Sequence, residues 1–274
     1  MPRVVTASIF ILIAALLAAC SNRSDGSETQ FGTDTISGEV VVFAASSLKE
    51  AFTEIAREFE SANPGVRVSF NFAGTPTLRT QLEHGASADV FASANDAQME
   101  LAVQSGVIDG TPTAFASNRL VIVTPAGALV VNDLPDLSKG GVKLVLALPS
   151  VPVGAYSRDS LALMDISGQF QENFAAAVMS NLVSEETNVR QVVAKVVLGE
   201  ADAGMAYGTD VTPDIAENVR TIEIPDEFNV LAVYPLAQVQ NAPNPIGAQA
   251  FVEFVLSDKG QGILNAHGFR DRLL

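Results

Sequence analysis

The chain has 274 residues, of which 48% are hydrophobic and 17% charged, and its formal net charge is −15. This composition is typical of a folded globular protein with one large domain or two of ordinary size. The acidic balance argues against nucleic acid as a partner, because a phosphate backbone requires a basic surface. A single cysteine, Cys20, excludes an internal disulfide framework and a cluster of metal-bound thiolates.

The N-terminal residues follow the plan of an export signal. Arg3 precedes an apolar run from Ile9 to Ala19, which is too short for a membrane-spanning helix. The sequence LAAC at 17–20 resembles a bacterial lipobox. It predicts that cleavage after residue 19 leaves a lipidated Cys20, which holds the protein at the outer face of the cytoplasmic membrane or in the periplasmic space. An ordinary secretory signal cut near Cys20 is the alternative.

After the signal peptide (1–19), residues 20–38 are polar and rich in Ser, Thr, Gly and Asp, which predicts a flexible tether. From there, β-branched runs alternate with helical spacings of apolar residues. The predicted strands cover 40–44, 66–72, 89–93, 120–124, 143–147, 204–207, 219–224 and 233–239. The predicted helices cover 48–61, 76–84, 97–105, 156–164, 188–198, 247–256 and 259–267.

This alternation predicts an α/β fold with two lobes, each a mainly parallel sheet flanked by helices. No Pro/Gly-rich linker divides the chain, so we expect it to cross between the lobes more than once. The first lobe is assigned to 39–121 plus 234–274 and the second to 122–233. Two crossover strands, near 120–124 and 234–239, are predicted to form the hinge.

Residue types that carry enzyme chemistry are scarce. The two histidines, His84 and His267, lie near predicted helix ends and are interpreted as surface residues. Nucleophile-elbow, phosphate-loop and dinucleotide-binding motifs are missing from the sequence. We therefore expect a protein that is not an enzyme and that uses no cofactor.

Turns that lead from a strand into a helix are the candidate sites. Ser47, followed by Glu50, matches a capping box, and Thr75 is a plausible N-cap with Pro76 as the first helical residue. A helix cap alone explains each turn taken singly. However, helix N-termini also offer free N–H donors and a partial positive charge, which is what an anion site requires.

The second half of the chain repeats this arrangement. The loop at 150–156 enters a helix, Thr187 or Asn188 caps another, and Tyr207 ends a strand, where simple packing with the hydroxyl in water is the ordinary interpretation. Together these turns supply hydroxyls and N–H groups with almost no cationic side chains. Such a site suits a fully ionised dianion such as molybdate or sulfate, which accepts hydrogen bonds and has no proton to donate.

Four sequence blocks resemble those of the molybdate-binding proteins of ABC importers, which have the type II periplasmic-binding-protein fold. The resemblance extends from about Gly38 to Phe269. The blocks are VFAASSLKEAF at 42–52, FAGTPTLRTQLEHGASADVFASA at 72–94, VPVGAYSRDSL at 151–161 and NVRQVVAKVVLGEADAGMAYGTD at 188–210.

The resemblance implies five oxyanion-binding positions. Ser47 supplies hydroxyl and N–H, Thr75 a hydroxyl, Val153 and Val189 their backbone N–H groups, and Tyr207 its hydroxyl. Molybdenum is then held only as the centre of the bound oxyanion, through these same residues. The chain departs from the family in having Thr75 where serine is usual, Pro76 in place of a small polar residue, and Val153 where alanine is common.

The resemblance further implies a monomer whose lobes close around molybdate, with tungstate as a second ligand, and whose partner is a membrane-bound ABC permease. Three alternatives stay open. The same fold can bind sulfate or another tetrahedral oxyanion. An exported hydrolase would use Ser47 or Tyr207 with a nearby base. A lipid-anchored sensor or adhesion domain would have lost ligand capture.

Overall fold

The computed structural model describes residues 36–271 of the chain. The predicted signal peptide, the lipidation site Cys20 and the tether up to residue 35 lie outside the described residues. Within 36–271, no helix combines the length and the apolar character that a bilayer span requires.

Residues 36–271 form eleven strands and eight α-helices. The strands are β1 (Gly38–Ala45), β2 (Val66–Ala73), β3 (Val90–Ala92), β4 (Ile108–Asn118), β5 (Leu120–Pro125), β6 (Leu144–Ala147), β7 (Leu182–Glu186), β8 (Ala203–Tyr207), β9 (Val219–Glu223), β10 (Ala232–Val239) and β11 (Arg270–Asp271). The helices are α1 (Lys49–Ala62), α2 (Thr75–Glu83), α3 (Asp96–Gln104), α4 (Pro152–Ile166), α5 (Phe174–Ser180), α6 (Val189–Val197), α7 (Pro245–Leu256) and α8 (Asp258–Ala266).

The strands are arranged in two sheets. The first sheet has six strands in the order β11-β4-β10-β3-β1-β2, and the second has five in the order β7-β6-β8-β5-β9. The chain enters the second sheet at Arg119, between β4 and β5, and returns to the first between β9 and β10. The predicted α/β class with two helix-flanked sheets is confirmed. The division into lobes at 121/122 and 233/234 stays a prediction.

Pairing within each sheet is more mixed than the predicted mainly parallel order. β1 is parallel to β2 and β3, and β6 is parallel to β7 and β8. By contrast, β10 is antiparallel to β3 and β4, and β5 is antiparallel to β8 and β9. Parallel neighbours need a crossover connection, usually helical. β5 and β10 are instead the first strands after the chain passes from one sheet to the other, and no helix lies between them and the preceding strand.

The sequence patterns do not predict β4, α5, β7 and the short β11. Gly110 and Pro112 usually interrupt a strand, yet β4 tolerates them where its pairing with β10 is irregular. β7 lies at the edge of the second sheet and alternates only between exposed and half-buried residues. α5 has seven residues, too few for a helical spacing to stand out.

Apolar faces attach the helices to the sheets. Phe52, Ile55 and Phe59 recur on one face of α1, as predicted, and all three are buried. The rings of Phe52 and Phe59 pack edge-on against Phe251 of α7, with centroids 6.0 and 5.5 Å apart. The Phe52 ring also packs against Phe70 of β2 and Phe115 of β4, with centroids 6.3 and 5.5 Å apart. These contacts hold α1 against the first sheet and thereby place the turn between β1 and α1, which carries Ser47.

Candidate functional site

Turns that follow strands of both sheets line one small cavity. Its volume, including its opening to solvent, is about 210 Å³. Two of the five predicted site residues follow strands of the first sheet, and three belong to the second sheet or to helices packed on it. All five line the cavity: Ser47, Thr75, Val153, Val189 and Tyr207. The fold therefore gathers every predicted site residue at one place, while their role in binding stays a prediction.

The cavity lies at the N-termini of four helices. Thr75 and Val189 are the first residues of α2 and α6, Val153 is the second residue of α4, and Ser47 lies just before α1. N–H groups in the first turn of a helix have no acceptor within the helix and carry a partial positive charge. Among the described residues, those lining the cavity include no charged side chain. Within the lining itself, the positive ends of backbone dipoles are therefore what can attract an anion.

Ser47 lies in a 3-10 turn over Ser46–Leu48, and the predicted capping box with Glu50 is wrong. The turn delays the start of α1 to residue 49, so the serine is not at the N-cap position. Its side chain is buried, and Oγ lies 3.1 Å from the hydroxyl oxygen of Tyr234 on β10. Glu50 instead forms an ion pair with Arg190.

Thr75 is the first residue of α2, whereas the sequence predicted it as the cap. Gly74 occupies the N-cap, and Pro76 takes the second helical position. The Thr75 hydroxyl accepts a hydrogen bond from the backbone N–H of Ala94 at 3.3 Å and is 1% exposed. Because the oxygen serves as an acceptor, the hydroxyl hydrogen is left to donate into the cavity.

Tyr207, at the end of β8, is 1% exposed, so its hydroxyl does not reach bulk water as the ordinary interpretation expects. This hydroxyl forms no hydrogen bond with any residue that the structure describes. A buried hydroxyl without a partner costs about 1–3 kcal/mol. Burial raises the pKa of Tyr207 well above its ordinary value, so the group stays protonated. Tyr207 is therefore a donor available to an anion in the cavity.

Two glycines allow backbone segments to meet around the cavity. A Cβ at Gly74 would overlap the carbonyl oxygen of Thr187, in the turn between β7 and α6. A Cβ at Gly154 would overlap the carbonyl oxygens of Ala147 and Leu148, at the end of β6. Gly154 therefore lets the N-terminus of α4 reach the cavity, and Gly74 brings the first-sheet turn against the second-sheet turn.

Asp210 supports Tyr207 from behind the cavity. Its side chain is fully buried, and one carboxylate oxygen accepts a hydrogen bond from the Tyr207 N–H at 3.1 Å. The second oxygen lies 3.7 Å from Nε of Arg190. Burial raises the pKa of Asp210 to about 6, although Arg190 and the Tyr207 N–H oppose the rise. Asp210 thus fixes the end of β8, although removing its carboxylate from water costs free energy.

Arg190 connects the two halves of the cavity wall. From α6, its guanidinium donates to the carbonyl oxygen of Ser46 at 3.2 Å and pairs with Glu50 of α1. A second contact of this kind runs from the Gln98 side chain on α3 to the carbonyl oxygen of Ser150, at 3.2 Å. The first-sheet and second-sheet turns are therefore in polar contact around the cavity.

The geometry provides no base for a serine nucleophile. Nε2 of His267 is hydrogen-bonded to Glu54 at 2.8 Å, and His84 is an exposed residue at the end of α2. Neither histidine is hydrogen-bonded to Ser47. Within residues 36–271, no group of three or more histidine, cysteine or acidic residues is placed to hold a metal ion. The arrangement can bind an anion through donors, and it lacks a proton acceptor for hydrolysis.

Known proteins resemble the chain over almost its full length. A sequence profile of the family described as bacterial extracellular solute-binding protein matches residues 40–270. The molybdate-binding protein ModA of Mycobacterium tuberculosis is 38% identical over 265 residues, covering 96% of each chain. ModA of Escherichia coli is 31% identical over 242 residues, covering 85% of this chain and 89% of its own. The chain belongs to the bacterial extracellular solute-binding proteins.

Solved structures share the fold of this solute-binding protein. The periplasmic molybdate-binding protein of Azotobacter vinelandii has a TM-score of 0.72 at 18% identity, covering 84% of this chain and 98% of its own. The sulfate-binding protein SubI of M. tuberculosis has a TM-score of 0.76 at 18% identity, covering 85% and 86%. The type II periplasmic-binding-protein fold is confirmed. Since the relatives are solute-binding proteins, the chain is an extracytoplasmic binding protein and not an enzyme.

Three residues that support the site of this solute-binding protein are not predicted by the sequence patterns. Tyr234 lies in an apolar strand, where a tyrosine is most simply interpreted as core packing. Arg190 and Asp210 lie within the fourth sequence block that resembles the family, at 188–210, but the sequence does not show which residues they contact. The sequence favours a role for Glu50 in capping the adjacent helix, so it does not predict the ion pair of Glu50 with Arg190.

Proposed function

We propose that this solute-binding protein captures molybdate outside the cytoplasm and delivers it to the permease of an ABC importer. The observation that carries the proposal is the cavity lined by uncharged donors, among them the buried and unpartnered hydroxyl of Tyr207. The ligand's identity is supported by the mycobacterial and E. coli relatives, which are named as molybdate-binding proteins.

The proposed roles follow from the chemistry of the donors. Molybdate is fully ionised and accepts hydrogen bonds on every oxygen, so it needs donors and no acceptor. In this proposal the hydroxyls of Ser47, Thr75 and Tyr207 and the N–H groups of Ser47, Val153 and Val189 surround it. A hydrogen bond to a charged group contributes about 1.5–3 kcal/mol. Several such bonds, together with four helix N-termini, offset the desolvation of the dianion and the repulsion from a chain of net charge −15.

Binding is proposed to couple to closure of two lobes. The donors come from turns on both sheets, so a single small anion can satisfy them only when these turns are close together. Ligand contacts that exist only in the closed state shift the population towards it. The polar contacts of Arg190 and Gln98 between the two sides support a closed form of this kind. The permease would then recognise the closed protein.

Further parts of the proposal concern attachment and ligand range. We propose that lipidated Cys20 anchors a monomer to the membrane, that tungstate binds as molybdate does, and that no cofactor is needed. Cys20→Ser should move the protein from the membrane fraction to the soluble fraction of cells. A Cys20→Ser protein that stays with the membrane would contradict the anchor.

Calorimetric titration of the purified protein with molybdate, tungstate, sulfate and phosphate tests the ligand. We expect one molybdate or tungstate per chain, bound with similar affinities, and far weaker binding of sulfate and phosphate. Tighter binding of sulfate than of molybdate would make the protein a sulfate carrier on the same fold. Binding of none of the four anions would favour a domain that has lost ligand capture.

A further inference from the structure

Tyr234 touches the site from behind without lining the cavity. It lies on β10, is fully buried, and packs edge-on against Phe115 and Phe269 with ring centroids 6.3 and 5.5 Å away. Its ring centroid lies 5.8 Å from that of Tyr207, and its hydroxyl oxygen lies 3.1 Å from Oγ of Ser47. Burial raises the pKa of Tyr234 well above its ordinary value, so its hydroxyl keeps its hydrogen.

The hydrogen of a buried hydroxyl needs an acceptor, and Ser47 is the only hydrogen-bond partner of the Tyr234 hydroxyl among the described residues. Asn118, at the end of β4, accepts a hydrogen bond at Oδ1 from the Arg119 N–H at 2.9 Å. Its amide nitrogen donates one hydrogen to Oγ1 of Thr209 at 2.7 Å. Both polar atoms of Asn118 therefore have other partners, and Ser47 Oγ is the acceptor that remains for the Tyr234 hydrogen among the described residues. Tyr234 therefore donates to Ser47.

We infer that Tyr234 is a positioning residue that donates to Ser47 and so directs the Ser47 hydroxyl hydrogen towards the bound oxyanion. The inference rests on the proposed function, because it assigns a role at that same site. In the reverse orientation Ser47 would donate to Tyr234 and present only lone pairs to the cavity, which repel a dianion. The relay from Tyr234 through Ser47 thus makes Ser47 a donor to the oxyanion.

The relay also affects the strength of the Ser47 hydrogen bond. A hydroxyl that accepts a hydrogen bond becomes a better donor, since hydrogen bonds in a chain polarise one another. The hydroxyl hydrogens of Ser47, Thr75 and Tyr207 are then all directed into the cavity or available to an anion in it. One of the two lone pairs of Ser47 Oγ is then occupied by Tyr234, which leaves Ser47 a poorer acceptor for an anion that carries a proton.

Calorimetric titration with molybdate tests the relay through Tyr234→Phe, alone and combined with Ser47→Ala. Phenylalanine keeps the packing of the ring and removes only the hydroxyl. We expect Tyr234→Phe to weaken molybdate binding roughly tenfold when Ser47 is present, the size of one net hydrogen bond. In the Ser47→Ala protein the same change should alter affinity less than about twofold, because Tyr234 then has no hydroxyl to direct.

Tyr156→Phe is the matched control, since it removes a largely buried phenol that does not line the cavity and is not bonded to Ser47. It should leave molybdate affinity within about twofold of the unmodified protein. Equal losses with and without Ser47, or no loss, would overturn the relay. An unmodified protein that binds no molybdate would overturn the proposed function itself.

Discussion

The two sides of the cavity supply hydrogen-bond donors in different ways. The first sheet contributes the hydroxyls of Ser47 and Thr75, and each is already engaged within the protein, with Tyr234 and with the Ala94 N–H respectively. The second sheet contributes backbone N–H groups at the starts of α4 and α6 and the Tyr207 hydroxyl, which has no partner among the described residues.

This difference indicates a division of labour between the sides. Hydroxyls that are held by neighbouring groups keep their direction whether or not an anion is present, so the first side is organised in advance. A donor that lacks a partner, as the Tyr207 hydroxyl does, gains most from an anion, so we expect the second side to contribute most of the energy of the proposed binding. Substitutions that remove a donor of the second side should therefore change affinity more than they change folding.

The largest effect is expected for Asp210, the buried carboxylate of the second side. Its pKa is about 6 in the folded protein against 3.8 for an ordinary aspartate, so the folded state binds the proton more tightly than the unfolded state. This contribution to stability is complete below pH 3.8 and is lost as pH rises through 6. Relative to the wild type, Asp210→Asn should gain about 2–3 kcal/mol of unfolding free energy between pH 4 and pH 7.

Urea unfolding at a series of pH values measures this difference. Other carboxylates titrate over the same range, so the quantity to follow is the variant minus the wild type at each pH. A difference that does not change with pH would show that Asp210 is not the ionised, desolvated group described here.

Gly74→Ala tests whether the two sides must touch. The added Cβ would overlap the Thr187 carbonyl oxygen, so the turns could no longer approach one another. We expect molybdate affinity to fall roughly a hundredfold, the upper range of an overpacking effect, while the ligand-free melting temperature changes little. Gly127→Ala is the control, because a Cβ there meets no atom within 4 Å. Wild-type affinity in Gly74→Ala would mean that binding does not need this approach.

The sequence predicts the side-chain donors of the cavity better than its backbone donors and its long-range contacts. Strong apolar patterns place α1, β1 and α6 within a residue or two, and hydroxyls at strand ends indicate Ser47, Thr75 and Tyr207. Local patterns do not reveal that a 3-10 turn displaces Ser47 from the cap, or that Glu50 finds its partner on α6. Those outcomes depend on contacts between distant segments. The positions of Val153 and Val189 came from the family resemblance, since a backbone donor leaves no mark in the side chain.

Tyr207→Phe distinguishes a ligand-binding hydroxyl from a structural one. Because the hydroxyl has no partner among the described residues, its removal should leave the ligand-free melting temperature unchanged or slightly higher. Molybdate affinity should fall about thirtyfold, as expected for the loss of a hydrogen bond to a charged group. Calorimetry and thermal unfolding of the same preparation measure both quantities. A lower melting temperature with unchanged affinity would assign Tyr207 to packing.

Val189→Pro isolates a backbone donor, a kind of group that the second side is proposed to supply at two residues and the first side at one, Ser47. Proline is tolerated as the first residue of a helix, and Asn188 before it already has the extended conformation that proline requires, with φ −159 and ψ 164. The change therefore deletes one N–H while α6 and its Asn188 cap persist. We expect molybdate affinity to fall about tenfold, less than for Tyr207→Phe because the remaining N–H groups and the dipole of α6 still face the anion.

Val189→Ala is the matched control for this donor, since it trims the side chain and keeps the N–H. It should bind molybdate within about threefold of the unmodified protein, although the buried valine contributes to stability. If the alanine and proline proteins lost affinity equally, the side chain of Val189 would be what matters. The second side would then resemble the first in relying on side chains, and the contrast between the two would be lost.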